Sequence, residues 1–129
     1  MYSIKKEAHG FTLTFGGFIQ KDEMTKWVKE SKKILASQVG KFGVMIDMRT
    51  LKPLPQGAQE EITYGQKLYK GKGMVRSAVI LNNSVTTMQF KRLAKTSGIY
   101  QWERYINASE TSDWEKVALD WIVNGIDPD

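Results

Sequence analysis

The chain has 129 residues, of which 41% are hydrophobic and 26% charged, a composition typical of one globular domain large enough to bury its own core. Cysteine is absent, which excludes disulfides, thiolate metal ligands and thiol nucleophiles, and no apolar run approaches the ~20 residues of a membrane-spanning helix. Nineteen basic against fourteen acidic residues give a net charge of +5, which favours anionic partners at long range without defining the fold.

The first part of the chain predicts a β-hairpin followed by a helix. Apolar and polar residues alternate from Tyr2 to Lys6 and again from Phe11 to Phe15, as in half-buried strands, and His9-Gly10 lies where the turn is expected. A start of this kind contains no apolar signal core, so we expect a cytoplasmic protein. We expect Asp22 to cap the helix and Gly40 to end it. The spacing places one buried stripe on this helix: Met24, Trp27, Val28, Ser31, Ile34 and Leu35.

Two short apolar runs predict strands at the centre of the sheet. They are Val44-Met45-Ile46, within a strand over 42–48, and Ala78 to Leu81, within a strand over 76–81. Runs that are apolar on consecutive residues suit strands buried on both faces of a mostly parallel sheet. A helix over 56–70 connects them. Gly65 inside that helix costs about 1 kcal/mol relative to alanine, so we expect it to allow close packing.

The remaining elements complete an alternating order. Asn82-Asn83-Ser84 predicts the cap of a helix that reaches Ser97-Gly98, and residues 102–106 predict a last strand. Ser112 and Glu115 form a capping box for a final helix that stops at Gly125. The predicted order is β-β-α-β-α-β-α-β-α. It gives an α/β fold over residues 1–129, a single domain whose mixed, mostly parallel sheet has one N-terminal antiparallel hairpin.

Polar residues follow both central strands and predict a site at their carboxyl ends. Asp47, Arg49 and Thr50 follow the first strand, and Asn82-Asn83-Ser84 follow the second and open a helix. Ligands of α/β proteins bind in the crevice at this edge of the sheet, and helix-terminal amides with an arginine can hold a carboxylate or phosphate. The alternative is structural, with Asp47 ordering its loop and Asn83 or Ser84 capping the helix.

Aromatic and methionine side chains suggest a second site. In the helix after residue 84, the apolar residues do not form one stripe, so we expect unusual burial or an apolar groove there. A pocket between helices and sheet would accept a small amphipathic anion, such as a fatty acid or lipid headgroup. The alternative is that these side chains fill the core. The candidate pocket residues are Tyr64, Tyr69, Met88 and Phe90.

No pattern predicts catalysis, a metal or a cofactor. His9 is the only histidine, and its place in a predicted turn makes it a poor general base. The adjacent carboxylate pairs point in different directions on their helices, and no glycine-rich stretch completes a phosphate-binding loop. Basic residues are not interleaved with strand aromatics, so we expect no nucleic-acid partner.

Several stretches resemble the STAS superfamily of sulfate-transporter and anti-sigma-factor-antagonist domains. The chain looks most similar to a small bacterial branch described as anti-sigma-factor-antagonist-like, with kinship to the CRAL-TRIO lipid-binding fold. The resembling stretches are 43–49, 76–81 and 103–106, together with the pattern Trp114, Val117, Ala118, Trp121 and Ile122. The resemblance implies a STAS-like fold and a regulatory or binding role.

The resemblance does not extend to the regulatory serine of the superfamily. Members that are switched by a kinase carry it in an Asp-x-Ser-Gly-type turn. Here the turn reads Asp47-Met48-Arg49-Thr50, with Arg49 at the position of the serine and Thr50 at that of the glycine. The switch is therefore not carried over, and Thr50 is the hydroxyl left in this turn that could accept phosphate.

Together these features favour a non-catalytic regulatory or protein-interaction module. We expect it to bind a protein partner or a copy of itself through the loop 47–54 and the helix that begins at Ser84. The alternative is a carrier of a small anionic or lipid ligand in the apolar pocket. An enzyme that uses a cofactor unseen in the sequence is a third hypothesis.

Overall fold

One five-stranded mixed sheet organises the chain. The computed structural model describes residues 1–129. The strands lie in the sheet in sequence order, with β1 antiparallel to β2 and all later neighbours parallel. The predicted α/β class, the N-terminal hairpin and the order of elements are confirmed. The strands are β1 (Tyr2–Glu7), β2 (Gly10–Phe15), β3 (Phe42–Asp47), β4 (Met74–Leu81) and β5 (Glu103–Asn107).

The helices cover the two faces of the sheet unequally. On one face α1 (Lys21–Leu35), α2 (Gln56–Gly71) and α3 (Ser84–Ser97) enclose the larger core. On the other, α4 (Trp114–Asn124) packs alone against β3, β4 and β5 over a smaller core. The α4 side of β1 and β2 therefore has no helix over it. None of the four helices is long and apolar enough to cross a membrane.

Gly65 lets the Trp27 side chain of α1 lie against the backbone of α2. A Cβ atom added to Gly65 would collide with the six-membered ring of Trp27, so the indole lies directly against the backbone of α2. The same indole stacks on Tyr69 with ring centroids 5.7 Å apart, and the Phe15 ring meets it edge-on at 5.2 Å. The predicted close packing at Gly65 is confirmed, and its partner is Trp27.

A second glycine sets the position of α4. A Cβ atom on Gly43, the second residue of β3, would collide with the Ile122 side chain of α4. Trp121, one residue earlier, donates its indole N–H to the carbonyl of Ser77 on β4 at 3.0 Å. The helix is therefore fixed to the sheet by an apolar contact and by an adjacent polar one. The predicted apolar face of α4 is confirmed.

Three predicted helix ends differ from the structure. Met24 N–H donates to the Gln20 carbonyl, so α1 begins before Asp22, which lies in the first turn and caps nothing. The helix ends at Leu35, well before Gly40, because no later side chain reaches the core and Val39 is 90% exposed. α4 begins from Asp113, one residue past the predicted cap, so the capping box at Ser112 and Glu115 does not form.

The apolar residues of α3 divide between two environments instead of forming one groove. Phe90, Leu93 and Ala94 are buried in the larger core. Val85 and Met88 lie on the outer side and are 55% and 71% exposed. The expected unusual burial is therefore wrong for the first turns of α3, which present apolar side chains to solvent.

Alanine at Gly65 tests the contact with Trp27. We expect Gly65→Ala to lower the free energy of unfolding by about 1–3 kcal/mol, because the new methyl group overpacks the indole and outweighs the gain in helix propensity. The measurement is urea unfolding followed by tryptophan fluorescence.

Gly71→Ala is the matched control. Gly71 is the last residue of the same helix, and an added Cβ there meets no atom. It should leave stability unchanged or raise it slightly. If both substitutions behave alike, the close packing of Trp27 is not a constraint on the fold.

Candidate functional site

The loops that follow β2 and β3 are joined by backbone hydrogen bonds. Gly17 N–H donates to the Thr50 carbonyl at 2.9 Å, and Lys52 N–H donates back to the Gly17 carbonyl at 3.0 Å. Gly17 and Leu51 also form an isolated parallel bridge, and the Leu51 side chain is buried. The two loops therefore continue the sheet beyond the ends of its strands.

Two glutamines fasten the second loop to the helices. The backbone of Leu54 donates its N–H to Gln89 Oε1 of α3 at 2.9 Å. Its carbonyl accepts the amide groups of Gln59 from α2, at 2.8 Å, and of Gln89, at 3.2 Å. Leu54 itself is buried. This clamp holds the loop after β3 against the start of α3, so loop and helix form one continuous surface.

That surface carries large apolar side chains in solvent. Phe18, in the loop after β2, is 76% exposed, and Val85 and Met88 project from the first turns of α3. Thr50 and Lys52, both exposed, lie on the loop between them. We call the exposed side chains of Phe18, Thr50, Lys52, Val85 and Met88 the rim surface, because they lie at the carboxyl ends of β2, β3 and β4.

Asp47 and Arg49 form a closed ion pair beside this surface. The guanidinium donates to both Asp47 carboxylate oxygens at 3.0 and 2.9 Å, and the Arg49 backbone N–H adds a third bond at 3.1 Å. Partial burial raises the pKa of Asp47, but the hydrogen bonds from Arg49 outweigh it and leave that pKa below its ordinary value. The guanidinium also lies over the Trp114 ring at 4.4 Å, on the α4 side of the sheet.

Asn83 caps α3. Its side-chain oxygen accepts the N–H groups of Val85 and Thr86 at 2.9 and 3.1 Å. Ser84 and Asn82 are exposed beside it. The predicted cap cluster is confirmed, with Asn83 as the capping residue.

The structure places the six predicted polar residues at one end of the sheet but not in one crevice. Asp47 and Arg49 line a groove of about 320 Å³ next to Trp114. Asn83 and Ser84 line another groove of about 320 Å³ between α3 and β5, and the two grooves share no residue. The Arg49 guanidinium and the first amides of α3, which could have held an anion, bond instead to Asp47 and Asn83.

The four predicted pocket residues also separate. Tyr69 and Phe90 are buried and line an interior cavity, whereas Tyr64 and Met88 are 51% and 71% exposed. The cavity measures about 30 Å³, which is the scale of one or two water molecules. Its lining is apolar except for Gln66 and Glu103. Pockets that hold small molecules commonly measure about 300–1,000 Å³.

Glu103 is a buried carboxyl group without a cationic partner among the salt bridges of the chain. It lies at the start of β5, is 2% exposed, and accepts hydrogen bonds from the Ser77 hydroxyl at 2.9 Å and the Tyr105 hydroxyl at 2.6 Å. Burial raises its pKa to about 7, because the two hydrogen bonds offset only part of the cost of removing a charge from water. Glu103 is therefore a carboxyl group that titrates near neutrality.

His9 lines the same groove as Asp47 and two glutamates, Glu7 and Glu115. His9 lies in the β1–β2 turn, half-buried, with Nε2 donating to the Phe11 carbonyl at 3.1 Å. No three histidine, aspartate or glutamate side chains converge in a way that could hold a metal ion.

Comparison of the chain with protein-family models, curated proteins and solved structures finds no match.

Sequence reasoning did not identify Phe18, Gln59, Gln89 or Glu103 as residues of interest. Phe18 follows Gly16-Gly17 outside any periodic segment, so nothing in the pattern distinguished it from a core residue. The two glutamines occupy helical positions where a polar residue is ordinary. Nothing in the sequence marked Glu103 either, because glutamate is mostly exposed in proteins and the burial of this side chain follows from the pairing of β5 with β4.

Glu103→Gln tests the buried carboxyl group. Burial raises the folded-state pKa of Glu103 above the 4.5 of an ordinary carboxyl, so the folded state keeps a proton that the unfolded chain has already lost. The wild-type free energy of unfolding should therefore fall, by up to about 3 kcal/mol, as pH rises from 4.5 to 7, and level off above that. The glutamine variant should lack this decline, measured by urea unfolding across that pH range.

The exposed Glu60 provides the control, since Glu60→Gln should keep the wild-type pH dependence. A Glu103→Gln protein whose stability falls with pH as steeply as that of the wild type would show that Glu103 does not cause the decline and that burial does not raise its pKa.

Proposed function

We propose that the chain is a non-catalytic protein-interaction module of the STAS-like kind that works in the cytoplasm and binds a protein partner through the rim surface. The observation that supports this most directly is the exposure of three large apolar side chains at one end of the sheet. Phe18, Val85 and Met88 belong to different elements, yet all lie at the carboxyl ends of neighbouring strands. Exposed apolar patches are characteristic of interaction sites, and these three side chains are the candidates for one at this end of the sheet.

The rigidity of the underlying backbone supports the proposal. The bonds of Gly17 with Thr50 and Lys52, and the glutamine clamp on Leu54, order the loops before any partner binds. A pre-ordered surface avoids the entropic cost of freezing loops on association, so more of the contact energy appears as affinity. Methionine and phenylalanine are also side chains that adapt to or anchor protein interfaces.

The charge around the rim surface indicates the kind of partner. Lys52 lies within it, and Lys91 lines the groove that Met88 and Ser84 share with the end of β5. No acidic side chain lines that groove. A partner with an apolar centre and acidic groups at its margin would complement these residues, and the net charge of +5 would speed the encounter.

The carrier hypothesis has less support. An interior cavity of about 30 Å³ is too small for a fatty acid or a lipid headgroup, and half of the predicted pocket residues lie outside it. The side chains that motivated a carrier therefore serve the interaction proposal better, with Tyr69 and Phe90 in the core and Met88 on the rim surface.

Site-specific photo-crosslinking tests the proposal. A photoreactive amino acid is placed at Met88 and, in a matched variant, at Val39, which is 90% exposed in the loop between α1 and β3. We expect irradiation of cells that produce the Met88 variant to yield a discrete cross-linked protein, identified by mass spectrometry, and the Val39 variant to yield none. The carboxyl end of β3 carries the rim surface, whereas Val39 precedes its amino end.

The purified partner then allows a quantitative comparison. Met88→Lys should weaken its binding by about tenfold or more, because a charge replaces an apolar anchor of the interface, and Val39→Lys should leave it unchanged. Thermal melts establish that both variants are folded. Equal cross-linking from both positions, or equal affinity of both lysine variants, would contradict the assignment of the rim surface.

A further inference from the structure

The outer edge of β1 presents unpaired backbone groups. Gly16 N–H donates to the Met1 carbonyl, so Met1 and Gly16 form a hydrogen-bonded pair. In an antiparallel ladder such pairs alternate with pairs that share no hydrogen bond. Odd-numbered residues of β1 therefore bond to β2, and the N–H and C=O groups of Tyr2, Ile4 and Lys6 point away from the sheet. Three consecutive outward residues form a complete template for another strand.

The opposite edge of the sheet is protected in a way that β1 is not. At β5, the Arg104 guanidinium donates to the carbonyls of Gln101 and Glu103 at 2.9 and 3.1 Å. The Asn107 carbonyl accepts the N–H groups of Glu110 and Thr111 in the turn that follows. The Arg104 side chain and the turn after β5 thus bond the outward-facing carbonyls at the two ends of the strand. Only the middle of β5 has backbone groups free to pair with another strand.

β1 lacks most of the features that usually prevent an edge strand from pairing with another chain. The strand has no proline and no bulge, and its six residues pair one-to-one with β2. Its two lysines bond within the chain: Lys5 lies 3.5 Å from Glu7, and Lys6 donates to Gln38 at 2.8 Å. The Lys6 ammonium also lies 4.6 Å from the centre of the Phe11 ring. Lysine side chains that extend past an edge strand disfavour pairing with another chain, but Lys5 and Lys6 contact residues of their own subunit instead.

The sequence of β1 is complementary to itself in the antiparallel register that is centred on Ile4. With Ile4 opposite Ile4 of a second copy, Tyr2 faces Lys6 and Ser3 faces Lys5, so no like charges are opposed. The outward residues of the two strands meet as hydrogen-bonded pairs. If the pairing were centred on Lys5 instead, Lys5 would face Lys5 of the other copy. If it were centred on Lys6, Lys6 would face Lys6.

We propose that β1 pairs with β1 of a second copy of this chain, centred on Ile4, and forms a two-fold symmetric dimer with one continuous sheet. The two-fold axis is perpendicular to the sheet, so the helices of both copies lie on matching faces. The carboxyl ends of β2, β3 and β4 point in opposite directions in the two copies. Both rim surfaces stay accessible, and this inference does not rest on the proposed function.

Substitutions at Ser3 test both the dimer and its register. The Ser3 side chain is exposed, and its backbone bonds remain inside the subunit. Sedimentation velocity over a concentration series should show a reversible monomer–dimer equilibrium for the wild type. Ser3→Lys should weaken the dimer and Ser3→Glu should tighten it, each by roughly twofold to thirtyfold, since two symmetric pairs with Lys5 change together. Thermal melts of the monomeric forms control for folding.

Engineered cysteines give a second and independent readout, because the natural chain has none. In the proposed register Ser3 and Lys5 of different copies are directly opposed, at a Cα separation of about 4.5 Å that suits a disulfide. A mixture of Ser3→Cys and Lys5→Cys proteins should therefore form a disulfide-linked dimer under mild oxidation. Each variant alone should form far less, because identical positions lie diagonally at about 7–8 Å.

Three outcomes would overturn the proposal. One is a chain that stays monomeric at every concentration and does not cross-link, which would leave the edge of β1 free for an extended peptide of another protein. Another is a dimer whose dissociation constant is the same for Ser3→Lys and Ser3→Glu. The third is cross-linking that is as efficient in the single variants as in the mixture, which would indicate a different register or surface.

Discussion

The contact between the Trp27 indole and the backbone at Gly65 determines how the larger core is built. It brings α1 and α2 close enough for the indole to stack on Tyr69 and to meet the edge of Phe15 in β2. The Tyr69 hydroxyl then pairs with the Ser31 hydroxyl at 2.8 Å, which satisfies two buried polar groups at once. The position of α2 in turn places Gln59 under the Leu54 carbonyl, so the order of the rim surface depends on a packing contact in the core.

Unequal coverage of the sheet explains where the accessible surfaces lie. Four parallel strands need both faces covered, yet only α4 lies on the second face, and it packs over β3 to β5. β1 and β2 meet the requirement differently, with polar residues such as Thr12 and Thr14 on their open side. An antiparallel hairpin tolerates such exposure, and its location at the sheet edge leaves β1 free to pair outward.

The sequence predicted the architecture well because the architecture depends on periodicity. The structure confirms three such interpretations. Consecutive apolar residues indicated the buried strands β3 and β4, alternation indicated the half-buried strands β1 and β2, and the glycine inside α2 indicated close packing. Helix ends were predicted less well, because the last buried side chain decides them: Leu35 ends α1 although Gly40 is the better stop signal. The predicted site residues lie at one end of the sheet, but their bonding partners, Asp47 with Arg49 and Asn83 with its own helix, depend on geometry that spacing does not encode.

Residue spacing also does not predict the polar contacts that join the sheet to the helices on its two faces. Ser77 of β4 offers its carbonyl to Trp121 of α4 and its hydroxyl to Glu103 of β5. Glu103 accepts the Tyr105 hydroxyl, which also lies 3.4 Å from the Phe90 carbonyl of α3. The polar contacts between α4 and α3 thus include one carboxyl group, and burial raises the pKa of that group to about 7. Ionisation of Glu103 leaves a buried charge that its two hydrogen bonds only partly offset, so the free energy of unfolding depends on proton binding near neutral pH.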